Sequence, residues 1–122
     1  MAAVVLDASA VIAYAEGEDP VANLTAQGTT RLLPASAYSE ILIGPLRAGT
    51  TALLDGLLAV ADVEVVPIDA RIARVAAEAR AERPSLRLPD ALVVATALVR
   101  ECELVTLDRR MRDAHRALAK TR

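Results

Sequence analysis

The stretch Ala2-Ala-Val-Val-Leu-Asp7 decides the fold of this chain. It is a short apolar run, rich in valine, that ends in an acid, and it predicts a buried strand from Ala2 to Leu6. The next residues, Ala8 to Ala15, have a helical pattern that the Gly17-Glu-Asp-Pro20 cluster breaks. A buried strand followed at once by a helix is typical of α/β proteins.

The same alternation continues to the end of the chain. Three further strands are predicted, at Arg31–Leu33, Val63–Pro67 and Glu103–Thr106. Further helices are predicted at residues 21–27, Ala35–Ile43, residues 50–60, Asp69–Glu82 and Asp90–Arg100, and after Asp108. Gly44-Pro45 is predicted to stop the second of these, and Asp69 is the predicted N-cap of the fourth. This alternation predicts one α/β domain over residues 1–122, with a parallel sheet covered on both faces.

The composition excludes several kinds of site. Hydrophobic residues make up 54% of the chain, but it contains only two Tyr and no Phe or Trp. Base stacking on aromatic side chains is therefore excluded as a way of binding RNA. Cys102 and His115 are the only residues of their types, so an internal disulfide is impossible and a zinc or Cys-His catalytic centre is not expected.

No segment of the sequence suggests secretion or membrane insertion. The first residues lack the basic segment of a signal peptide. The longest uncharged apolar run, Ala91 to Val99, is far shorter than a membrane span. We therefore expect a cytoplasmic protein without a membrane partner.

Charge is unevenly distributed along the chain. Residues 1–62 carry two basic and seven acidic side chains, a balance of −5, whereas residues 63–122 carry twelve basic and nine acidic ones, a balance of +3. The segment after Asp108 is the most basic. We expect it to contact a polyanionic substrate through Arg109, Arg110, Arg112 and Arg116. The alternative, a solvated arginine-rich helix, remains open.

Two acids follow predicted strands directly. Asp7 comes after the first strand and Asp108 after the last. In open parallel sheets, ligands bind beyond the carboxyl ends of the strands, so the two acids could meet in one crevice. The alternative for either residue is a helix N-cap. Ser9 and Thr106 lie two residues from these acids and could orient the carboxylates through their hydroxyl groups.

Two more acids belong to predicted helices. Glu40 is the only charge in its helix and is predicted to lie on a stripe of small and apolar residues, where an unpaired carboxylate is costly. The alternative is a helix that is exposed at this point. Asp90 follows Pro89 and precedes a long apolar run, where favourable interaction with the helix dipole explains it without a catalytic role.

Convergence of these acids would require a cation, because carboxylates brought close together repel each other. With only oxygen ligands available, Mg²⁺ or Mn²⁺ is the expected ion. Such an ion can activate water and stabilise the charge that develops on a phosphate. The acids therefore favour phosphodiester hydrolysis without a Ser, Cys or His nucleophile.

In order along the chain, these motifs resemble those of the PIN domain, and specifically the VapC-type ribonuclease toxins. The resemblance spans the whole chain, and each motif is weak alone. The motifs are Val4-Val-Leu-Asp7-Ala-Ser9, Pro34-Ala-Ser-Ala-Tyr-Ser-Glu40-Ile, Leu88-Pro-Asp90-Ala-Leu-Val-Val-Ala-Thr96 and Leu104-Val-Thr106-Leu-Asp108.

The resemblance implies a three-layer α/β/α sandwich with a parallel sheet of four or five strands. It implies an Mg²⁺- or Mn²⁺-dependent endoribonuclease in which Asp7, Asp90 and Asp108 hold the metal, Glu40 acts through a metal-bound water, and Thr106 braces the cluster. It also implies a toxin that forms a homodimer and is covered by a cognate antitoxin, which often inserts a basic side chain into the acidic site.

The sequence fits other functions less well. Phosphatases of the haloacid-dehalogenase type need a second Asp where Ser9 stands and a later Lys, and the only lysine is Lys120 near the end. Response-regulator receiver domains also need such a lysine, so the sequence does not fit them either. A PIN-like module that binds RNA or a protein without turnover remains open. Asp113 could join the acidic cluster, although a surface salt bridge is the favoured role.

Overall fold

The computed structural model describes residues 3–18 and 28–122. Within these ranges the chain forms four strands and six helices. In chain order they are β1 (Ala3–Leu6), α1 (Ala8–Ala15), β2 (Thr30–Pro34), α2 (Ala35–Ala48), α3 (Thr51–Val60), β3 (Val63–Val66), α4 (Ala70–Glu82), α5 (Leu88–Val99), β4 (Glu103–Val105) and α6 (Arg109–Ala119).

The described strands form one parallel sheet in the order β3-β2-β1-β4. β1 pairs with β2 on one side, where Val5 lies opposite Leu32, and with β4 on the other, where Leu6 lies opposite Val105. The chain thus adds β2 and β3 on one side of β1 and then returns to the other side for β4. Such a reversal opens a crevice at the carboxyl ends of the strands, where α/β proteins bind ligands.

Helices cover both faces of this sheet. Successive side chains of a strand point to opposite faces, and Val4, Val5 and Leu6 of β1 are each at most 2% exposed. Leu32 and Leu33 of β2 are buried in the same way. The predicted α/β class and the three-layer α/β/α sandwich with a parallel sheet are therefore confirmed.

The helix α2 is longer than the sequence predicts. It continues through Gly44-Pro45 to Ala48, so the predicted stop at Gly44-Pro45 is wrong. A proline removes one helical donor, but the helix continues for another turn, and the Pro45 carbonyl accepts a hydrogen bond from the Thr50 N–H at 2.8 Å. The helix ends at Gly49, whose φ of 71° is the left-handed conformation that glycine adopts without strain.

Smaller differences concern the ends of other elements. α5 begins at Leu88 rather than Asp90, because Pro89 fits the first turn of a helix. β3 and β4 each end one residue before the predicted boundary. The predicted helix at residues 21–27 and the predicted strand residue Ala2 lie outside the described residues. In the part of the chain that the structure describes, no helix is both long and apolar enough to cross a membrane.

Candidate functional site

Asp7 is a buried carboxylate at the carboxyl end of β1, with 5% of its surface exposed. Its Oδ1 accepts hydrogen bonds from the Ser9 hydroxyl at 2.7 Å and from the Ala10 N–H at 3.1 Å, which makes Asp7 the N-cap of α1. Its Oδ2 accepts a hydrogen bond from the Thr106 hydroxyl at 2.6 Å. Donors on both oxygens offset the cost of burying this group and fix its orientation.

Thr106 connects Asp7 to the last strand. Besides donating to Asp7, its Oγ1 accepts a hydrogen bond from the Asp108 N–H at 3.0 Å. A second bridge runs from the Leu107 N–H to the Ser9 hydroxyl at 3.1 Å. The carboxyl ends of β1 and β4 are therefore joined by side-chain hydrogen bonds, and both acids that follow these strands belong to one network.

Asp108 is the N-cap of α6. Its Oδ1 accepts hydrogen bonds from the backbone N–H groups of Arg110 at 2.8 Å and Met111 at 3.3 Å. The capping role that the sequence left as an alternative is thus real for both Asp7 and Asp108. It does not exclude a second role, because capping engages only the Oδ1 atom of Asp108, and this residue also lines a cavity.

An open cavity of about 950 Å³ lies between the start of α5 and the start of α6. Three carboxylates line it, those of Asp90, Asp108 and Asp113. Four arginines line it as well: Arg83, Arg87, Arg109 and Arg110. Acids and guanidinium groups around one solvent-filled space suit a ligand that carries negative charge and is held through a cation.

Asp90 lies in the first turn of α5. Its Oδ2 is 3.4 Å from the Nε of Arg87, and the two side chains are 21% and 78% exposed. The contact is a single long one and its guanidinium is mostly in water, so it contributes little to stability. Asp90 is therefore a partly buried carboxylate of the cavity wall whose counter-ion is an exposed guanidinium.

Glu40 lies apart from this cavity. Its residue is exposed on α2, and among the described residues no side chain is bonded to its carboxylate. The prediction that it lies on a buried stripe is wrong. Ala37 and Ile41 are buried, whereas Glu40 and Gly44 are exposed, so Glu40 lies beside that stripe on the solvent side.

The four arginines predicted to contact substrate fall into two groups. Arg109 and Arg110 line the cavity. Arg112 is half-buried and its Nη2 donates to the carbonyl of Thr106 at 2.8 Å, so it holds α6 against the end of β4. Arg116 is exposed in the last turn of α6 and does not line the cavity.

Sequence reasoning missed three polar residues that line the cavity: Arg83, Ser85 and Arg87. All three belong to the segment between α4 and α5, just before Asp90. The signal was the segment Arg83-Pro-Ser-Leu-Arg87, which has two arginines but no periodic pattern to show where they point. Asp113 also lines the cavity and forms no surface salt bridge with the described residues.

The residues around the cavity fit a divalent cation in their ligand chemistry. Mg²⁺ is usually held by one or two carboxylates, with water and substrate phosphates completing its coordination. Asp90 and Asp108 line the cavity and supply such carboxylates. Within residues 3–18 and 28–122, no three acidic, histidine or cysteine side chains are gathered closely enough to hold an ion by themselves.

The chain is thus an α/β protein in which acidic side chains follow two adjacent parallel strands and an acid-lined cavity lies beside the second of them. A family model, that of the PIN domain, matches residues 4–117. The chain belongs to the PIN domain family. A sequence comparison with curated proteins gave no significant match.

Solved structures share this fold. A toxin–antitoxin complex from Klebsiella pneumoniae contains a chain that is 23% identical, with 86% of each chain covered and a TM-score of 0.73. VapBC2 from Rickettsia felis, bound to a DNA fragment from its promoter, is 18% identical over 92% of each chain, with a TM-score of 0.77. FitAcB from Neisseria gonorrhoeae is 18% identical over 93% of each chain, with a TM-score of 0.69.

Proposed function

We propose that this PIN-domain chain is an endoribonuclease that depends on Mg²⁺ or Mn²⁺ and hydrolyses RNA phosphodiester bonds. One observation carries the proposal: Asp90 and Asp108 line one cavity with four arginines, and Asp108 is joined to buried Asp7 through the Thr106 hydroxyl. Acids for a cation and guanidinium groups for phosphates meet in the same place.

Each acid has a distinct part in this proposal. Asp90 and Asp108 would hold the cation directly, and Asp7, whose carboxylate is oriented by Ser9 and linked to Asp108 through Thr106, would complete the site. When bound, the cation supplies an activated water and offsets the charge that builds on the phosphate. Only its sequence motif supports a role for Glu40, and its exposed carboxylate would act through water.

The arginines would supply the substrate contacts. Arg109 and Arg110 line the cavity with Asp108 and would bind RNA phosphates. Arg112 would act indirectly, because its bond to the Thr106 carbonyl positions the start of α6. Arg116 would at most contact RNA that extends beyond the cavity.

Asp108→Asn tests the nuclease, because asparagine keeps the N-cap and removes only the charge. Asp69→Asn is the matched control, since Asp69 caps α4 in the same way, through a 2.9 Å bond from the Ile72 N–H, but lies outside the cavity. Total cellular RNA is incubated with each protein in Mn²⁺, Mg²⁺ or EDTA, and the new 5′ ends are mapped by sequencing.

We expect wild type and Asp69→Asn to cleave only with a divalent cation, and Asp108→Asn to lose on the order of a hundredfold in rate. Cleavage that persists in EDTA, or an Asp108→Asn variant as active as the control, would refute the proposal. If no protein cleaves but wild type binds RNA, the chain is the binding module that the sequence left open.

We further propose that this nuclease is the toxin of a cytoplasmic toxin–antitoxin pair, a homodimer that a cognate antitoxin covers. Two observations support this. The structural neighbours include a toxin–antitoxin complex, and large apolar side chains are exposed on α2 and α3, among them Leu46 at 64%, Leu53 at 74% and Val60 at 82%. Exposed apolar groups of this size favour a protein partner.

A further inference from the structure

Of the four arginines that line the cavity, Arg87 is the one that forms an ion pair with a described residue. Its Nε lies 3.4 Å from the Oδ2 of Asp90, three residues later in the chain. Arg83, Arg109 and Arg110 line the same cavity but form no ion pair with any described carboxylate. Arg87 therefore neutralises an acid that the proposed function assigns to a cation.

Hydrogen bonds anchor the backbone just before Arg87, whereas the Arg87 side chain is largely exposed to solvent. The Nε of Arg80 donates to the carbonyl of Leu86 at 2.8 Å, and the Leu86 N–H donates to the carbonyl of Arg83 at 3.0 Å. Leu86 itself is only 5% exposed. The segment before α5 is thus anchored, while the Arg87 side chain remains 78% exposed.

The contact between Arg87 and Asp90 is weak enough to exchange. It consists of one long hydrogen bond between partly solvated groups, without the paired geometry that makes arginine–carboxylate contacts strong. A phosphate oxygen offers the same guanidinium an equal or better partner. A divalent cation, in turn, is a better partner for Asp90 than a monovalent guanidinium.

We propose that Arg87 is a phosphate-binding residue that exchanges one partner for another. In the empty site it is the counter-ion of Asp90, and when a cation occupies that carboxylate it binds an RNA phosphate instead. This inference rests on the proposed function, because it takes the cavity to be the place where cation and RNA meet. The Arg87 side chain would thus bind Asp90 first and an RNA phosphate second.

Two opposite effects follow for Arg87→Ala. Without the guanidinium, nothing competes with the cation for Asp90, so the affinity for Mn²⁺ rises. Without the same group, one phosphate contact is lost, so the affinity for RNA falls. A residue with a merely structural role would not move these two affinities in opposite directions.

Arg74→Ala is the matched control. Arg74 also forms an exposed ion pair, with Glu78 at 4.0 Å on α4, and does not line the cavity. Mn²⁺ binding is measured by isothermal titration calorimetry. RNA binding is measured in saturating Mn²⁺, so that the cation can occupy Asp90, by stopped-flow anisotropy of a fluorescein-labelled single-stranded RNA of mixed sequence before cleavage accumulates, over a series of salt concentrations. Arg87→Lys is included because it keeps the charge.

We expect Arg87→Ala to bind Mn²⁺ about threefold more tightly and RNA about threefold more weakly, as befits exposed ion pairs. Its plot of log affinity against log salt should be shallower by about 0.7, the loss of one single-strand phosphate contact. Arg87→Lys should recover the salt dependence, and Arg74→Ala should match wild type in both assays.

These measurements distinguish a wrong role for Arg87 from the absence of nuclease activity. A wild type that binds Mn²⁺ and cleaves RNA, with an Arg87→Ala variant that matches Arg74→Ala, would overturn the role of Arg87 alone. An unchanged or weaker Mn²⁺ affinity in Arg87→Ala would do the same. A wild type that neither binds Mn²⁺ nor cleaves RNA would overturn the nuclease, and the inference would fall with it.

Discussion

Replacing Thr106 with valine removes one oxygen atom from the centre of the site with little change in shape. The Thr106 hydroxyl donates to Asp7 at 2.6 Å and accepts from the Asp108 N–H at 3.0 Å. Thr106 and Asp7 are 4% and 5% exposed, so water has little access to replace these bonds. Valine would leave a buried carboxylate oxygen without its donor and a backbone N–H without its acceptor.

The expected cost of Thr106→Val follows from these two losses. A hydrogen bond to a charged group contributes about 1.5–3 kcal/mol, and a stranded buried group costs about 1–3 kcal/mol. Because Asp108 is half-buried and its N–H can recover some hydration, we expect a total of about 3 kcal/mol. For 122 residues, this loss lowers the melting temperature by about 10 °C.

Urea denaturation and thermal unfolding of the purified protein test this value, with Thr96→Val as the control. Thr96 is also fully buried, but its hydroxyl donates at 2.8 Å to the Leu92 carbonyl within the same helix. That carbonyl keeps its helical backbone donor when the hydroxyl is removed, so Thr96→Val should cost less than about 1 kcal/mol. Equal denaturation midpoints for the two variants would refute the reasoning, since the Thr106 bonds would then carry no special energy.

Three further predictions concern other parts of the molecule. Burial lowers the pKa of His115 below its usual 6.5, so the unfolded chain binds more protons below that pH. Stability should therefore fall as the pH drops through 6.5, and urea midpoints of His115→Gln should lack this part of the slope. Gly49→Ala should cost about 1 kcal/mol because φ is 71° there, whereas Gly56→Ala, inside α3 with open space around it, should gain up to about 1 kcal/mol; denaturation midpoints that shift in the same direction would contradict this. Leu53→Ser, at a side chain that is 74% exposed, should change stability by less than about 0.5 kcal/mol while weakening self-association in sedimentation experiments, and an unchanged mass distribution would argue against this face as the contact.

The sequence was sufficient for the elements that have a strong local signal. The β1 strand and the α1 helix are recognisable because a buried valine-rich run ends abruptly at an acid, and Asp69 marks the start of α4 through its capping side chain. The course of α2 was not predictable from local rules. Gly44 and Pro45 weaken a helix, but the final boundary depends on Gly49, where the backbone adopts a left-handed conformation.

The candidate site was predictable only where sheet topology fixes it. Asp7 and Asp108 come together because they follow adjacent parallel strands, a rule that needs no coordinates. The double role of the Thr106 hydroxyl depends on distances of a few ångströms and has no sequence signature. Arg87 lies in an irregular segment, so no periodicity reveals which way its side chain points. Glu40 shows the opposite error, since a pattern predicted burial where the residue is exposed.

The hydrogen bonds that join Asp7 and Ser9 to Thr106 and Leu107 also limit when this part of the molecule can assemble during synthesis. These bonds connect residues 98 and 99 positions apart in the chain. During synthesis, the first acid is made long before its partners, and it has neither the Thr106 hydroxyl nor the second carboxylate beside it. The acidic crevice can therefore assemble only after the residues up to α6 have left the ribosome, and under the proposed function the nascent chain would not cleave RNA before that point.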